Sequence, residues 1–219
     1  MAVQLFDYEL EEWVRGCPVP AAPLSAEQLT WRQRVQYTVG HTINDYCSLT
    51  PEVRNCTSIQ LLLERRWPKK ADGFLGDLHY WKVYARMAEQ LSGIFANVSV
   101  TDYPVSLYEQ WNAYIPELDL HLAMIFQAVW ESKGVTGNPF TVQKFMVEED
   151  AEVIKAFVHM TNVFWHSVYG KPPAGIEVYA LMSGKKLSFR GETLGLPESL
   201  DYVYLLSESV SEDQALLQF

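Results

Sequence analysis

A chain of 219 residues is long enough for one domain with its own core, or one domain plus a helical extension. Its 48% hydrophobic and 13% aromatic content exclude a disordered chain, and no apolar run approaches the ~18 residues that span a bilayer. The formal net charge of −10 repels phosphate at long range, which weakens a simple DNA-binding reading and suits a protein partner at least as well.

The opening residues, MAVQLFDYELEEW, are acidic, with no basic or apolar leader, so no signal peptide is expected and the location is read as cytoplasmic with no membrane partner. Residues 4–15 read as a short helix stopped by Gly16 and Pro18, followed by a Pro-rich connector. Cys17, Cys47 and Cys56 are odd in number and lack metal or redox spacing, so inert thiols are expected. Ser25 with Gln28 has the capping-box pattern, and the helix it opens carries Leu29, Val35, Val39 and Ile43 before ending near Leu49. Thr50-Pro51 starts another helix, holding Ile59, Leu62 and Leu63 and stopping before Pro68. A long amphipathic helix covers about 75–96.

The character changes near residue 98. Val98 to Glu109 is rich in β-branched and aromatic residues, and Leu118 to Glu131 places Leu120, Leu122, Met124, Phe126, Ala128 and Trp130 on one parity. Residues 133–139 form a turn, and Phe140 to Val147 is a third strand. Asp150 caps a helix that ends at Gly170 before Pro172 and Pro173. Ile176 to Met182 is apolar enough for an internal strand, with a shorter strand at Lys186–Phe189 and a final helix or strand over 197–206. The expectation is a single α+β domain: residues 1–97 mainly helical, 98–206 a βββαβ core with a central mixed sheet, and 207–219 an acidic tail.

Three features carry a resemblance. Val39-Gly40-His41-Thr42-Ile43-Asn44 is similar to a Gly-x-x-x-His helix. Leu61 to Trp67 lies in a helical insertion, and the 150–169 helix runs into Gly170-Lys171-Pro172-Pro173 and a strand. In this layout the chain resembles the RecB/Cas4-like branch of the PD-(D/E)XK nucleases over roughly residues 26–190, implying a restriction-endonuclease-like fold. The resemblance implies nucleic-acid processing in repair, recombination or defence, with DNA and a helicase or other protein subunit as partners.

The chemistry of that family needs acids on Mg or Mn and a lysine that orients water. In this chain the motif histidine falls at Asn44, the second-strand acid near Phe126 or Gln127, and the third-strand acid at Val142, with Lys144 in the lysine's place. A catalytically degenerate binding or scaffolding subunit is therefore expected, needing no cofactor. The alternative is an active Mg- or Mn-dependent nuclease with an altered motif. It would use Pro116-Glu117, Asp119 and Glu109 as metal ligands and Gln143-Lys144 as catalytic residues.

Glu64-Arg65-Arg66-Trp67-Pro68-Lys69-Lys70 is the dense basic segment. Arg65, Arg66, Lys69 and Lys70 would contact phosphate and Trp67 would stack on a base, or the segment is a solvated helix end. His121 shares strand parity with Asp119 and Glu117, a weak metal reading, while His159 and His166 lie roughly 10 Å apart along one helix and more simply serve packing. A third reading is a protein-interaction module without a nucleic-acid role. A binder of nucleic acid should gather the cations on one face, and an interaction module should show a contiguous apolar patch instead.

Overall fold

The computed structural model describes residues 3–16, 28–131 and 138–216. Among these residues it is an α+β arrangement of six strands in one mixed sheet and seven α-helices. Strand β1 (Val3–Phe6) leads into helix α1 (Asp7–Val14), so the first segment is a strand and a helix rather than one helix. Four helices follow: α2 (Trp31–Cys47), α3 (Pro51–Cys56), α4 (Ile59–Arg66) and α5 (Asp77–Phe95). The meander is β2 (Ser106–Ile115), β3 (Leu120–Glu131) and β4 (Phe140–Met146). Helix α6 (Ala151–Tyr169) crosses to β5 (Gly175–Ala180), β6 (Lys185–Arg190) returns antiparallel, and α7 (Leu196–Leu216) closes the fold.

The helix boundaries follow local chemistry. Thr30 caps α2: its hydroxyl accepts from Gln33 N–H at 3.3 Å, and the Gln33 side chain accepts from Thr30 N–H at 3.0 Å. The working capping box is thus five residues beyond the expected Ser25, which lies outside the described residues. The single helix expected after Thr50 is two, because Thr57 is extended and Ser58 caps a new start by accepting from Leu61 N–H. Buried Arg54 ties this break down. Its guanidinium donates to the carbonyls of Cys47, Leu49, Val100 and Asp102 and lies 4.2 Å from the Tyr103 ring centroid. Asp150 caps α6 as expected, and Gly170 ends it with a φ of 69°, the left-handed conformation glycine adopts without a Cβ clash. Residues 197–206 resolve as helix, and α7 runs on through 207–216, the start of the expected tail.

The sheet separates two cores. One lies between the sheet and α1, α6 and α7, around Met124, Phe126, Phe164 and Trp165. The other lies beneath α2, α4 and α5, around Ile43, Leu63, Met87 and Phe145. Alternation along β4 feeds both: Val142 and Met146 face the first, Phe145 the second, and Val147, just past the strand, joins the second. As expected, the apolar β5 is internal, parallel to β4 on one side and antiparallel to β6 on the other.

The even residues of β3 do not share one face. Leu120, Leu122, Met124 and Phe126 enter the first core, but Ala128 and Trp130 enter the second. Its partner β2 switches at the same level, with Trp111, Ala113 and Ile115 facing the first core and Leu107 the second. Tyr108 takes a φ of 51° there, and the ladder skips the Tyr108–Gln127 pair while keeping register on both sides. A side chain in the left-handed region reverses the pleat, so one hairpin serves two cores. Gly40 of α2 makes room for the displaced ring, since a Cβ there would lie 3.2 Å from Tyr108 Cε1.

Candidate functional site

Strand β3 pairs with β4 only from Ala128↔Gln143 to Glu131↔Phe140. Further toward its start, β1 occupies the same edge of β3, parallel over Leu120–Ala123. Between β1 and β4 the edge is split, and buried backbone groups there need other partners. Ile125 N–H donates to Asp7 Oδ1 at 3.2 Å, and Phe145 N–H to Gln127 Oε1 at 2.6 Å. Gln36 of α2 works as a substitute strand: its Nε2 donates to Phe145 O at 2.7 Å and its Oε1 accepts from Val147 N–H at 3.0 Å.

Lys144 lies in this split, 5% exposed, beneath α1 and α6. Its Nζ is 3.0 Å from Glu11 Oε2 and 4.7 Å from the centroid of the Phe157 ring. Asp7, Glu11, Phe157 and Met160 line a cavity of about 10 Å³ beside it, room for one water at most. Arg15, just past α1, pairs with both Glu11 and Asp150 at 3.3 Å, tying the helix to the start of α6. Burial pushes the Asp7 carboxyl up to about 6 against the pull of Lys144. Burial also acts to raise Glu11, but Lys144 and Arg15 outweigh it and hold that carboxyl below its ordinary value. For Lys144 burial favours the neutral amine, yet Glu11 and Asp7 together hold the ammonium above its ordinary range. A charged lysine pinned in this way donates hydrogen bonds and has no lone pair with which to take a proton from water.

Lys144 faces α6, whereas α2, which carries Gly40 and Asn44, covers the opposite side of the sheet. The residues of β4 that turn toward α2 are Gln143 and Phe145. Phe145 is fully buried, its ring stacked on Tyr179 at 5.1 Å and near Phe95 at 6.2 Å. Gln143 accepts from Trp130 Nε1 at 2.7 Å and donates to Glu177 at 2.9 Å. Glu177 also accepts from Tyr179 and pairs with Lys186 at 2.7 Å. Burial, which works against the charge, is outweighed by these donors, and the Glu177 carboxyl is held below its ordinary value. Burial raises Tyr179 to about 12, with the Glu177 charge adding to it. Every polar end in this network has a partner within it.

The other sequence candidates lie elsewhere. Glu117 is in a short 3-10 turn and Asp119 takes a φ of 46°, so the strand parity expected for Glu117, Asp119 and His121 does not exist. Asp119 accepts from Tyr114 OH at 2.8 Å. Lys144 stands level with about Gln127, eight residues along β3 from Asp119, roughly 26 Å of strand. Glu109, on β2, accepts from Ser106 Oγ at 3.0 Å and Trp111 Nε1 at 3.3 Å. Among the described residues no three of His, Cys, Asp and Glu gather in a way that could hold a metal ion.

The basic segment divides. Trp67, expected to stack on a base, is 4% exposed and packs edge-on against Tyr80 and Tyr84. Arg66 is held by both oxygens of Asp45 at 2.8 and 3.0 Å. Arg65, Lys69 and Lys70 are exposed, and Lys69 donates to the Glu64 carbonyl at the end of α4. The exposed indole nearby is Trp81, on α5.

Asp7, Glu11 and Gln36 were not singled out by the sequence, and Gln127 was named only as a place where a second-strand acid would fall. Acids one helical turn apart are common on exposed helices, and nothing local connects residues 7 and 11 to residue 144. No protein-family model and no curated protein matches the chain.

Proposed function

We propose that the chain is a nuclease-like protein of the PD-(D/E)XK layout that has no cleavage chemistry and works as a binding or scaffolding subunit. The observation that carries this reading is that Lys144, which the resemblance aligns with the catalytic lysine, is paired with Glu11 and buried beneath α1 and α6. Supporting it, the same spacing on the α2 side is filled by Gln143 and a stacked Phe145, neither of which can ligate a metal through a carboxylate or activate water.

The test is a Mg²⁺ and Mn²⁺ titration by calorimetry, paired with cleavage of single- and double-stranded DNA, on wild type, Lys144→Ala and Glu117→Ala/Asp119→Ala. No metal uptake and no cleavage are expected. Metal binding lost with the two carboxylates, together with cleavage lost at Lys144→Ala, would establish the altered-motif nuclease instead.

The second reading, a protein-interaction module without a nucleic-acid role, is favoured by the exposed side chains of Leu75, Leu78 and Trp81. Two of the five cations expected on one face are withdrawn from it: Lys144 is buried and Arg66 is engaged by Asp45. Neither reading places the protein in a membrane, and among the described residues no helix is long and apolar enough to cross one.

A further inference from the structure

Two helices on opposite faces of the sheet present complementary surfaces. On α5, Leu78, Trp81, Lys82 and Ala85 follow one another at helical spacing, are all exposed, and continue from Leu75 just ahead of the helix. Leu75 is 83%, Leu78 70% and Trp81 59% exposed, a stripe that leaves its apolar atoms in water. Its surroundings are basic in an acidic chain: residues 64–86 hold six Lys and Arg against three Asp and Glu, and although Arg66 and Arg86 are ion-paired, Arg65, Lys69, Lys70 and Lys82 are exposed. Tyr80 OH donates to Pro68 O, which brings the loop carrying Lys69 and Lys70 against this end of α5. Glu89, at the far end of the stripe, is paired with Arg86.

Helix α7 has the opposite character. It contains no Lys or Arg, and its exposed face runs Glu198, Asp201, Tyr204, Leu205, Glu208. Tyr204 and Leu205, 47% and 64% exposed, form an apolar centre between acids. A polyanion would match the cations of α5 but would leave its two leucines without an apolar counterpart. A helix with apolar anchors between carboxylates matches both, and this chain carries one.

We propose that copies of this chain associate head to tail, the α5 stripe of one seating on the acidic face of α7 in the next. The two helices lie on opposite sides of one sheet, so a single partner cannot satisfy both. The contact is heterologous and builds chains or closed rings of three or more rather than a two-fold dimer. This does not depend on whether the protein cleaves nucleic acid.

The experiment is sedimentation velocity on the full chain at several concentrations in low and high salt. It uses wild type, Lys82→Glu/Trp81→Ser (α5 face spoiled) and Leu205→Glu (α7 face spoiled). All three positions are exposed, and circular dichroism checks the fold of each variant. The mean mass of wild type should rise past that of a dimer with concentration, and association should weaken about tenfold or more in high salt. Each variant alone should be monomeric. Mixed, each retains the face the other lacks, and they should form a 1:1 complex that grows no further. A wild type that stays monomeric or stops at a dimer, variants that associate like wild type, or a mixture that does not pair would each overturn the proposal.

Discussion

Asp7 and Glu11 stand one helical turn apart beside the same lysine, yet their carboxyl groups are driven in opposite directions. Asp7 is raised from 3.8 to about 6, chiefly by burial. A group whose folded value lies above its unfolded value contributes stability that is full below the unfolded value and lost as pH rises through the folded one. For Asp7 that window runs from about pH 4 to about pH 6, and the loss is about 3 kcal/mol by the size of the shift. Glu11 has the reverse sign: its contribution is present at neutral pH and is lost as pH falls through its lowered value. Asp7→Asn should therefore gain about 2–3 kcal/mol relative to wild type between pH 4 and pH 7, read from urea unfolding at both ends. A difference that stays flat across that range would sink this account of Asp7. Glu11→Gln removes the main counter-charge of a buried ammonium and should cost about 3 kcal/mol at pH 7. Lys144→Met should cost a similar amount, and the double variant less than the sum, because the two residues form one unit.

At the scale of elements, side-chain amides complete the sheet where its strands part. Gln36 supplies both a donor and an acceptor to β4, and Gln127 supplies an acceptor. Gln36→Leu keeps the volume but leaves Phe145 O and Val147 N–H without their partners, an expected loss of about 2–3 kcal/mol. Hydrogen exchange in this variant should find the Val147 amide, just past the end of β4, deprotected relative to wild type, and unchanged protection there would show that Gln36 is not its partner in solution. Long elements with one buried face were legible in the sequence: α5, α6 and the internal β5 were placed by periodicity and caps. The break at Thr57 and the true cap at Thr30 were missed because several Ser and Thr residues offered equivalent start signals. The pleat reversal at Tyr108 was hidden for a different reason. The apolar spacing of β3 stays at two throughout, and only the left-handed backbone at Tyr108 and the missing Tyr108–Gln127 pair say that the face changes.

At the scale of the whole molecule, residues 3–16 are structural. Leu5 and Leu10 are buried in the first core, β1 covers part of the β3 edge, and α1 neutralises Lys144. Removing residues 1–16 exposes that edge and leaves a buried cation without its acids. The expected loss is roughly 5 kcal/mol or more, comparable to the whole stability of many domains. A truncated chain that melts within a few degrees of the intact one would contradict this. The same long-range dependence explains why the candidate site was only partly legible. Lys144 was found by its place in the third strand, but its partners come from more than 130 residues away in sequence, through contacts that only the fold creates.

The reversal in the β2–β3 hairpin also acts as a ratchet. In an ordinary hairpin a slip of one residue turns every side chain over together, and the slipped form remains an evenly alternating ribbon. Here the left-handed Tyr108 must stand opposite Gln127, with Gly40 beside it to receive the ring. Slide one strand by a single step and the two reversals no longer coincide: the strands would disagree about which way is inward along the stretch between them. A misregistered pairing is thus penalised from both sides of the sheet as the two cores form, and the hairpin accepts its helices in one alignment alone.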